Sequence, residues 1–340
     1  MFTGLLEKLT RREDLSPDEA ADAMGEIIDE RATAGQVAGL LMGLAMKGER
    51  PAEIFGLARA MRDRARPFHA GGDDVVLDVC GTGGDRAGTF NISSITALVV
   101  AAAGVRVAKH GNRSVSSRCG SADVFEALGV DVQAPPAAVE RCFHEAGIAF
   151  LFAPSFHPSM RHAAGVRREL GVRTAFNLLG PLTNPARPRR QLVGVPRPEL
   201  TELLARALAM LGCERAWVVH GADGLDEIST AGYTKVSECR DGAVNTFYLH
   251  PSDVGMPRAA RASLEGGDAA TNAAIARSVL EGERGPRRDI VLMNAGSALL
   301  LAGLARDLRE GIAAAADALD RGRAAATLRL MAAASRRAAN

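Results

Sequence analysis

Residues 78–85, which read Asp-Val-Cys-Gly-Thr-Gly-Gly-Asp, join a short apolar run to a glycine loop. Glycines let backbone N–H groups approach a phosphate closely, and a helix that starts a few residues later adds a favourable dipole. Arg86 stands where a dinucleotide fingerprint needs its third glycine, and no Gly-Lys-Ser/Thr of a P-loop follows. The loop therefore predicts phosphate binding of another kind, with an ordinary strand–helix turn as the alternative.

Two further segments carry polar groups that suit an anionic ligand. Residues 89–94 place small polar side chains at a predicted helix start, where they can cap the helix, bind phosphate, or do both. Residues 109–117 contain two cations, a histidine, an amide and three hydroxyls directly after an apolar run. Because ligands of open α/β sheets bind at the carboxyl ends of the strands, this segment predicts an anion site, with a solvated polar loop as the alternative.

Asp226 and Glu227 are adjacent carboxylates in a glycine-bearing loop, residues 220–227, which also follows an apolar run. Oxygen ligands of this kind favour Mg²⁺, particularly where substrate phosphates complete the coordination shell. A plain surface turn is the alternative. The five cysteines are widely spaced with no Cys-x-x-Cys pair, and the histidines lack metal-ligand spacing, so we expect neither a disulfide framework nor a zinc site.

The elements that must position these loops alternate between strands and helices. Short apolar runs predict buried parallel strands at residues 75–80, 105–108, 148–152 and 216–219. Helical patterns separate these runs, which is typical of an α/β domain with a mostly parallel sheet. From about residue 269 the Ala-rich sequence predicts helices with one strand near Asp289 to Met293, and the tail after Arg321 predicts a solvated helix.

The first 65 residues or so predict helices instead, with capping boxes that begin at Ser16 and Thr33. The turn-rich residues 70–74 read as a linker. The predicted fold class is therefore α/β, with a small N-terminal helical domain ahead of a larger domain built on a mostly parallel central sheet.

Composition excludes several classes of protein. Lys and Arg number 41 against 40 Asp and Glu, and the formal net charge of +1 argues against a nucleic-acid binder or a membrane-surface protein. Aromatic residues make up 4%, too few for a base-stacking platform. The first residues lack the apolar core of a signal peptide, and no segment is convincing as a membrane span. With the cysteine pattern, we expect a cytoplasmic protein.

Taken together and in this order, the motifs closely resemble the anthranilate phosphoribosyltransferase family of tryptophan biosynthesis, over essentially the whole chain. Residues 109–113 and 177–185 carry the most specific part of the resemblance, whereas related nucleoside phosphorylases share the glycine loop. The resemblance implies transfer of phosphoribose from 5-phosphoribosyl 1-pyrophosphate (PRPP) to the amine of anthranilate, with magnesium assisting and pyrophosphate leaving. It also implies a homodimer. The helical domain would comprise residues 1–70 with a contribution from about 160–187, and the α/β domain residues 71–340.

The resemblance also assigns residues to each ligand. The PRPP site would comprise the glycine loop, the first turn of the next helix and the basic loop: Gly81, Gly84, Asp85, Thr89, Asn91, Ile92, Ser93, Ser94, Lys109, His110, Gly111, Asn112, Arg113, Ser114, Val115, Ser116, Ser117 and Ser121. Anthranilate would contact Gly81, Asn112 and Arg167. Of two expected Mg²⁺ ions, Ser93 and Glu227 would hold one, and Asp226 and Glu227 the other. His110 would orient the substrate or take up the departing proton.

Two positions depart from the family pattern, which has threonine at Ser94 and usually a small residue at Arg86. Ser94 keeps the hydroxyl, so we expect phosphate binding to survive. Two alternatives share the fold. A pyrimidine nucleoside phosphorylase should lack the motif at 109–113 and the carboxylate pair. A non-catalytic nucleic-acid-binding relative should be more basic and should have lost that pair.

Overall fold

The computed structural model describes residues 2–72, 74–114 and 118–337. The strands are β1 (Val76–Gly81), β2 (Arg106–Gly111), β3 (Ile148–Phe152), β4 (Arg190–Gly194), β5 (Arg215–Gly221), β6 (Thr234–Arg240) and β7 (Ala243–Leu249). The helices are α1 (Phe2–Thr10), α2 (Pro17–Ile28), α3 (Ala34–Lys47), α4 (Pro51–Asp63), α5 (Ile92–Ala102), α6 (Ser121–Ala127), α7 (Pro136–Ala146), α8 (Ala153–Phe156), α9 (Arg161–Leu170), α10 (Leu200–Met210), α11 (Ala269–Leu280), α12 (Pro286–Ala302), α13 (Leu308–Asp320) and α14 (Arg323–Arg336). Short 3₁₀ turns lie at Pro158–Met160, Ala175–Asn177, Gly180–Leu182, Pro251–Val254 and Arg261–Leu264.

The strands form one seven-stranded sheet in the order β3-β2-β1-β4-β5-β6-β7. The pairs from β3 to β5 are parallel, whereas β5–β6 and β6–β7 are antiparallel. The mostly parallel sheet that the sequence predicts is therefore confirmed. The carboxyl ends of β1, β2 and β5 consequently point to the same edge, where the three polar loops follow them.

Both faces of the sheet are covered, because successive side chains of a strand point to opposite sides. On β4, Leu192 packs into a core formed with α5, α12 and α14, whereas its neighbour Val193 packs into a second core with α10 and the N-terminal helices. On β5, Trp217 likewise packs into the first core and Val218 into the second. The near-continuous apolar character of these strands follows from this two-sided burial.

The N-terminal helices begin as the sequence predicts. Ser16 and Thr33 each form a complete capping box, with Glu19 and Gln36 as the reciprocal partners. The apolar faces of α1 to α4 share their core with side chains from α9 and from the segment 175–182. A small helical domain therefore stands ahead of the larger α/β domain, and the chain returns to it after β3.

Three predictions about the elements need correction. Residues 289–293 belong to helix α12 rather than to a strand. This helix is buried on nearly all sides, so its sequence lacks the amphipathic period that would have identified it. The tail is a helix, α14, but it is not simply solvated, because Leu328 and Met331 are buried in the α/β core. The antiparallel hairpin β6–β7 was missed, although Asp241 and Gly242, both with positive φ, are a typical hairpin turn.

Among the described residues, every helix is too short or too polar to cross a bilayer.

Candidate active site

The glycine loop begins where β1 ends and is held in place by a carboxylate from the loop after β5. Gly83 and Gly84 have φ values of +67° and +84°, which favour glycine over any other residue. The Gly83 N–H donates to Asp226 Oδ2 at 3.0 Å. At Gly81 a Cβ atom would lie 2.7 Å from the same oxygen, so the backbone and the carboxylate approach each other closely. Arg86, in the same loop, also has a positive φ of 54°.

Asp226 and Glu227 form an acidic cluster with Asp85 of the glycine loop. Burial raises the pKa of Asp226 to about 7, and the charge of Asp85 and a hydrogen bond with its carboxyl add to that shift. Burial and the neighbouring Asp226 likewise raise the pKa of Glu227 well above its ordinary value. Carboxylates that are buried together favour protonation because their charges repel, and a nearby cation would relieve this repulsion.

The start of α5 meets the carboxylate pair. The Ser93 N–H donates to Glu227 Oε1 at 3.1 Å, and the Ser93 hydroxyl accepts from Lys109 Nζ at 3.3 Å. Lys109 is almost fully buried, and its ammonium also donates to the Val79 carbonyl at 2.5 Å. Ser93 therefore contacts both Glu227, a predicted magnesium ligand, and Lys109, the predicted phosphate-binding lysine.

The remaining residues of the predicted PRPP site lie around these contacts with different roles in the fold. The Asn91 side chain is engaged by Cys119 and Asn272, while Thr89 forms an isolated bridge with Glu265. The Ser94 hydroxyl is buried and has no hydrogen-bond partner among the described residues. Gly84 and Asp85 lie in the loop, and Ile92 starts α5.

The basic loop after β2 is anchored by its own arginine. Arg113 forms ion pairs with Asp123 and Glu126 of α6, at 2.9 and 2.8 Å, so in this structure its guanidinium holds the loop rather than an open anion site. Ser121, the first residue of α6, donates its hydroxyl proton to the Asn112 carbonyl. Gly111 ends β2, and the Ser114 N–H donates to Asp123. The predicted residues Val115, Ser116 and Ser117 lie outside the described part of the chain.

His110 is buried and oriented by the segment that carries the most specific family motif. Its Nδ1 lies 2.9 Å from the Gly180 carbonyl, an arrangement that requires a proton on Nδ1 and leaves Nε2 as an acceptor. Nε2 is buried and has no partner within the described residues. Burial, the nearby His157 and the charge of Lys109 lower the pKa of His110 to about 3, although the Gly180 carbonyl opposes that shift. The imidazole is therefore neutral at physiological pH.

The segment 180–184 positions several side chains through its carbonyls and one amide. Besides His110, its carbonyls accept hydrogen bonds from Arg62, Gln191 and His157. The Asn184 amide donates to Asp78 Oδ2 and to the Ala108 carbonyl, each at 2.8 Å. The sequence analysis assigned no role to Asn184 itself, so this positioning role was missed.

Arg167 lies on α9, the helix that shares a core with the N-terminal helices. Its guanidinium lies over the Phe176 ring, 5.8 Å from the centroid, and burial lowers its pKa without removing its charge. Among the described residues it forms neither an ion pair nor a hydrogen bond through its side chain. The structure thus unites Gly81, Ser93, Lys109, Asp226 and Glu227 by contacts, whereas Arg167 stands apart as an uncompensated cation.

All five cysteines are free and buried. In residues 2–72, 74–114 and 118–337, no group of three or more His, Cys, Asp or Glu is arranged to hold a metal ion by itself.

Known proteins share this sequence over both domains. Residues 73–325 match the family described as "Glycosyl transferase family, a/b domain", and residues 3–65 match its helical bundle domain. The anthranilate phosphoribosyltransferase of Moorella thermoacetica is 56% identical over 331 residues, which are 97% of each chain. The chain belongs to the anthranilate phosphoribosyltransferase family.

Solved structures of the family share this fold. The crystal structure of anthranilate phosphoribosyltransferase from Thermus thermophilus superimposes with a TM-score of 0.92 at 46% identity, over 98% of this chain and 99% of that one. The Saccharomyces cerevisiae enzyme in complex with PRPP and Mg has a TM-score of 0.88 at 28% identity, over 98% and 97% of the two chains. The same yeast enzyme has also been solved with 4-fluoroanthranilate.

The low pKa of His110 predicts that the free energy of unfolding falls as the solution becomes more acidic. Its pKa is about 3 in the folded protein and near 6.5 in an unfolded chain, so the unfolded chain binds more protons below pH 6.5. The contribution of His110 to stability is therefore present above pH 6.5 and is lost as the pH falls toward 3. Between pH 7 and 5 we expect wild type to lose about 2 kcal/mol more unfolding free energy than His110→Asn.

Urea unfolding of both proteins at pH 7, 6 and 5 measures this difference. His144→Asn, at an exposed position, provides the control and should follow wild type. Equal pH dependence of wild type and His110→Asn would show that His110 is not buried as a neutral group.

Proposed function

We propose that the protein transfers the phosphoribosyl group of PRPP to the amine of anthranilate, giving N-(5-phosphoribosyl)anthranilate and pyrophosphate in L-tryptophan biosynthesis. The observation that carries this proposal is the contact cluster at the carboxyl ends of β1, β2 and β5. There Lys109, the N-terminus of α5, the glycine loop and the pair Asp226–Glu227 meet. This set offers one cation and several N–H groups to a diphosphate, and carboxylates to a metal that would accompany it. Family membership supports the same reaction.

The PRPP-binding residues that the sequence assigns, from Gly81 to Ser121, stay a prediction. The contacts of Ser93 and Lys109 support this prediction most directly, because Ser93 is hydrogen-bonded to Glu227 and Lys109 is hydrogen-bonded to Ser93. For Arg113 the support is weaker, since its ion pairs with Asp123 and Glu126 compete with any phosphate. Gly81, Asn112 and Arg167 remain the proposed anthranilate contacts. Gly81 ends β1, and Asn112 directly follows the neighbouring strand β2.

The difficult step is breaking the ribose C1–O bond, because pyrophosphate leaves with concentrated negative charge. The aromatic amine of anthranilate is neutral at pH 7 and needs no strong base. Lys109 and the N–H groups of the loop and of α5 stabilise the leaving charge, and such electrostatic stabilisation usually contributes most to the rate of reactions of this kind. His110, with a pKa of about 3, is a poor proton acceptor. Its Nε2 lone pair is instead suited to accept a hydrogen bond from a substrate and orient it.

The donor set of the site fits Mg²⁺. Asp226, Glu227 and the Ser93 hydroxyl are all oxygen ligands, and the pKa values of both carboxyls are raised by burial and mutual repulsion, which a cation would relieve. When bound, Mg²⁺ would neutralise charge on the leaving pyrophosphate. We propose two ions, the first held by Ser93 and Glu227 and the second by Asp226 and Glu227.

The remaining assignments follow the family. We propose a cytoplasmic homodimer that binds neither nucleic acid nor membranes. The helical domain would comprise residues 1–70 with a contribution from about 160–187, and the α/β domain residues 71–340. The core that α1 to α4 share with side chains of α9 and residues 175–182 supports the contribution of about 160–187 to the helical domain, and the same core also takes in α10 and side chains of β4 and β5.

Loss of anthranilate fluorescence tests the reaction. We expect the signal to fall when purified protein, PRPP and Mg²⁺ are all present, and to stay constant when any one is omitted. Cleavage of uridine or thymidine by inorganic phosphate, with no use of anthranilate, would instead support the nucleoside phosphorylase alternative.

The carboxylate pair should matter for activity and not for stability. Asp226→Asn and Glu227→Gln remove charges that repel each other in a buried cluster, so the ligand-free variants should melt at or above the wild-type temperature. We expect kcat/KM to fall roughly a hundredfold, about 2.7 kcal/mol. Wild type should lose activity in EDTA and regain it with excess Mg²⁺.

Thermal melts and steady-state kinetics on the two variants decide this assignment. Glu283→Gln, at an exposed position, is the matched control and should retain wild-type behaviour. Full activity of the doubly substituted protein would remove the proposed metal site.

Recognition of the acceptor should depend on the shape of Arg167. A guanidinium can hold the carboxylate of anthranilate through two parallel hydrogen bonds, which an ammonium cannot. We therefore expect Arg167→Lys to lower kcat/KM for anthranilate nearly as much as Arg167→Ala, by about 1.5–3 kcal/mol or roughly ten- to a hundredfold. The KM for PRPP should stay near wild type.

Arg168→Ala, at the exposed neighbouring position, is the control and should have little effect. Wild-type kcat/KM for anthranilate in Arg167→Ala would place the acceptor site elsewhere.

A further inference from the structure

Arg173, which none of the motifs includes, contacts the glycine loop from the segment that packs with the helical domain. It lies between α9 and the turn at Ala175–Asn177, and its Nη2 donates to the Gly83 carbonyl at 2.8 Å, across 90 positions of sequence. The guanidinium also lies directly on Gly84, where a Cβ atom would stand only 1.3 Å from Nη1. Glycine at position 84 is therefore needed both for its positive φ and for the space that Arg173 fills.

The backbone N–H and the backbone carbonyl of Gly83 are hydrogen-bonded to side chains of opposite charge. Asp226 accepts the Gly83 N–H, while Arg173 donates to the Gly83 carbonyl. The other charged groups that act on Arg173 are Asp85, Arg86 and Arg197. Within the described residues no carboxylate lies within ion-pairing distance of the Arg173 guanidinium. The charges of Asp226 and Asp85 act on it from beyond that distance, and the bond to Gly83 engages one of its five N–H groups.

We propose that Arg173 is a binding residue for the diphosphate of PRPP. This inference deepens the proposed function and rests on it. The guanidinium lies at the loop where the diphosphate would sit, and its positive charge and remaining N–H groups suit phosphate oxygens. Arg173 follows α9, the helix of Arg167, so the same stretch of chain would contact both the acceptor and the leaving group.

The test must separate binding of the diphosphate from simple support of the loop. Arg173→Gln keeps an N–H donor for the Gly83 carbonyl but removes the charge, whereas Arg173→Lys keeps both a donor and the charge. We expect Arg173→Gln to raise the KM for PRPP, and the dissociation constant of inorganic pyrophosphate with Mg²⁺, about ten- to a hundredfold. Arg173→Lys should lose less, and the KM for anthranilate should change less than about twofold in both.

Steady-state kinetics and calorimetric titration with pyrophosphate and Mg²⁺ give these values. Arg168→Gln, an exposed arginine five residues earlier, is the matched control and should bind pyrophosphate as wild type does. If Arg173→Gln binds PRPP and pyrophosphate like wild type, or if the Lys and Gln variants lose equally, Arg173 only supports the loop and the inference is overturned. A wild-type protein that neither binds pyrophosphate nor consumes anthranilate would overturn the proposed function itself.

Discussion

A buried ammonium at the carboxyl end of β2 sets the layout of the site. An isolated charge without water is costly, so oxygen atoms must surround Lys109 from several elements. The Val79 carbonyl comes from β1 and the Ser93 hydroxyl from α5, and the charges of Asp78 and Glu227 lie close enough to interact with it. One positive charge therefore ties together the three segments that carry the glycine loop, the helix start and the carboxylate pair.

A second buried network fixes the histidine beside that lysine. Burial raises the pKa of Asp78, yet the charge of Lys109, the Asn184 amide and the His110 backbone N–H all favour its ionised form. Asn184 also binds the Ala108 carbonyl, so it joins β1, β2 and the 180–184 segment. The Gly180 carbonyl of the same segment accepts the His110 Nδ1–H. The direction of the unpaired Nε2 is therefore set by a residue 70 positions further along the chain.

The sequence predicted best what depends on local chemistry. The capping boxes at Ser16 and Thr33, the strand that ends at the glycine loop and the pair Asp226–Glu227 can be read from neighbouring residues, and the structure has them where expected. Asn184 and Arg173 could not be found in this way, because their partners lie 76 to 106 and 90 residues away. Helix α12 was mistaken in part for a strand because burial on all sides removes the period that distinguishes the two.

Asp226 and Glu227 compete with an incoming anion for backbone donors of the site. Two N–H groups that suit a phosphate, those of Gly83 and Ser93, already donate to Asp226 and Glu227. An approaching diphosphate therefore meets two carboxylates that hold its donors and repel its charge. A divalent cation held by Asp226 and Glu227 would lessen both obstacles, since it would compete for the carboxylate oxygens and offset the phosphate charge. In the proposed reaction the acidic pair thus makes tight binding of PRPP depend on the metal.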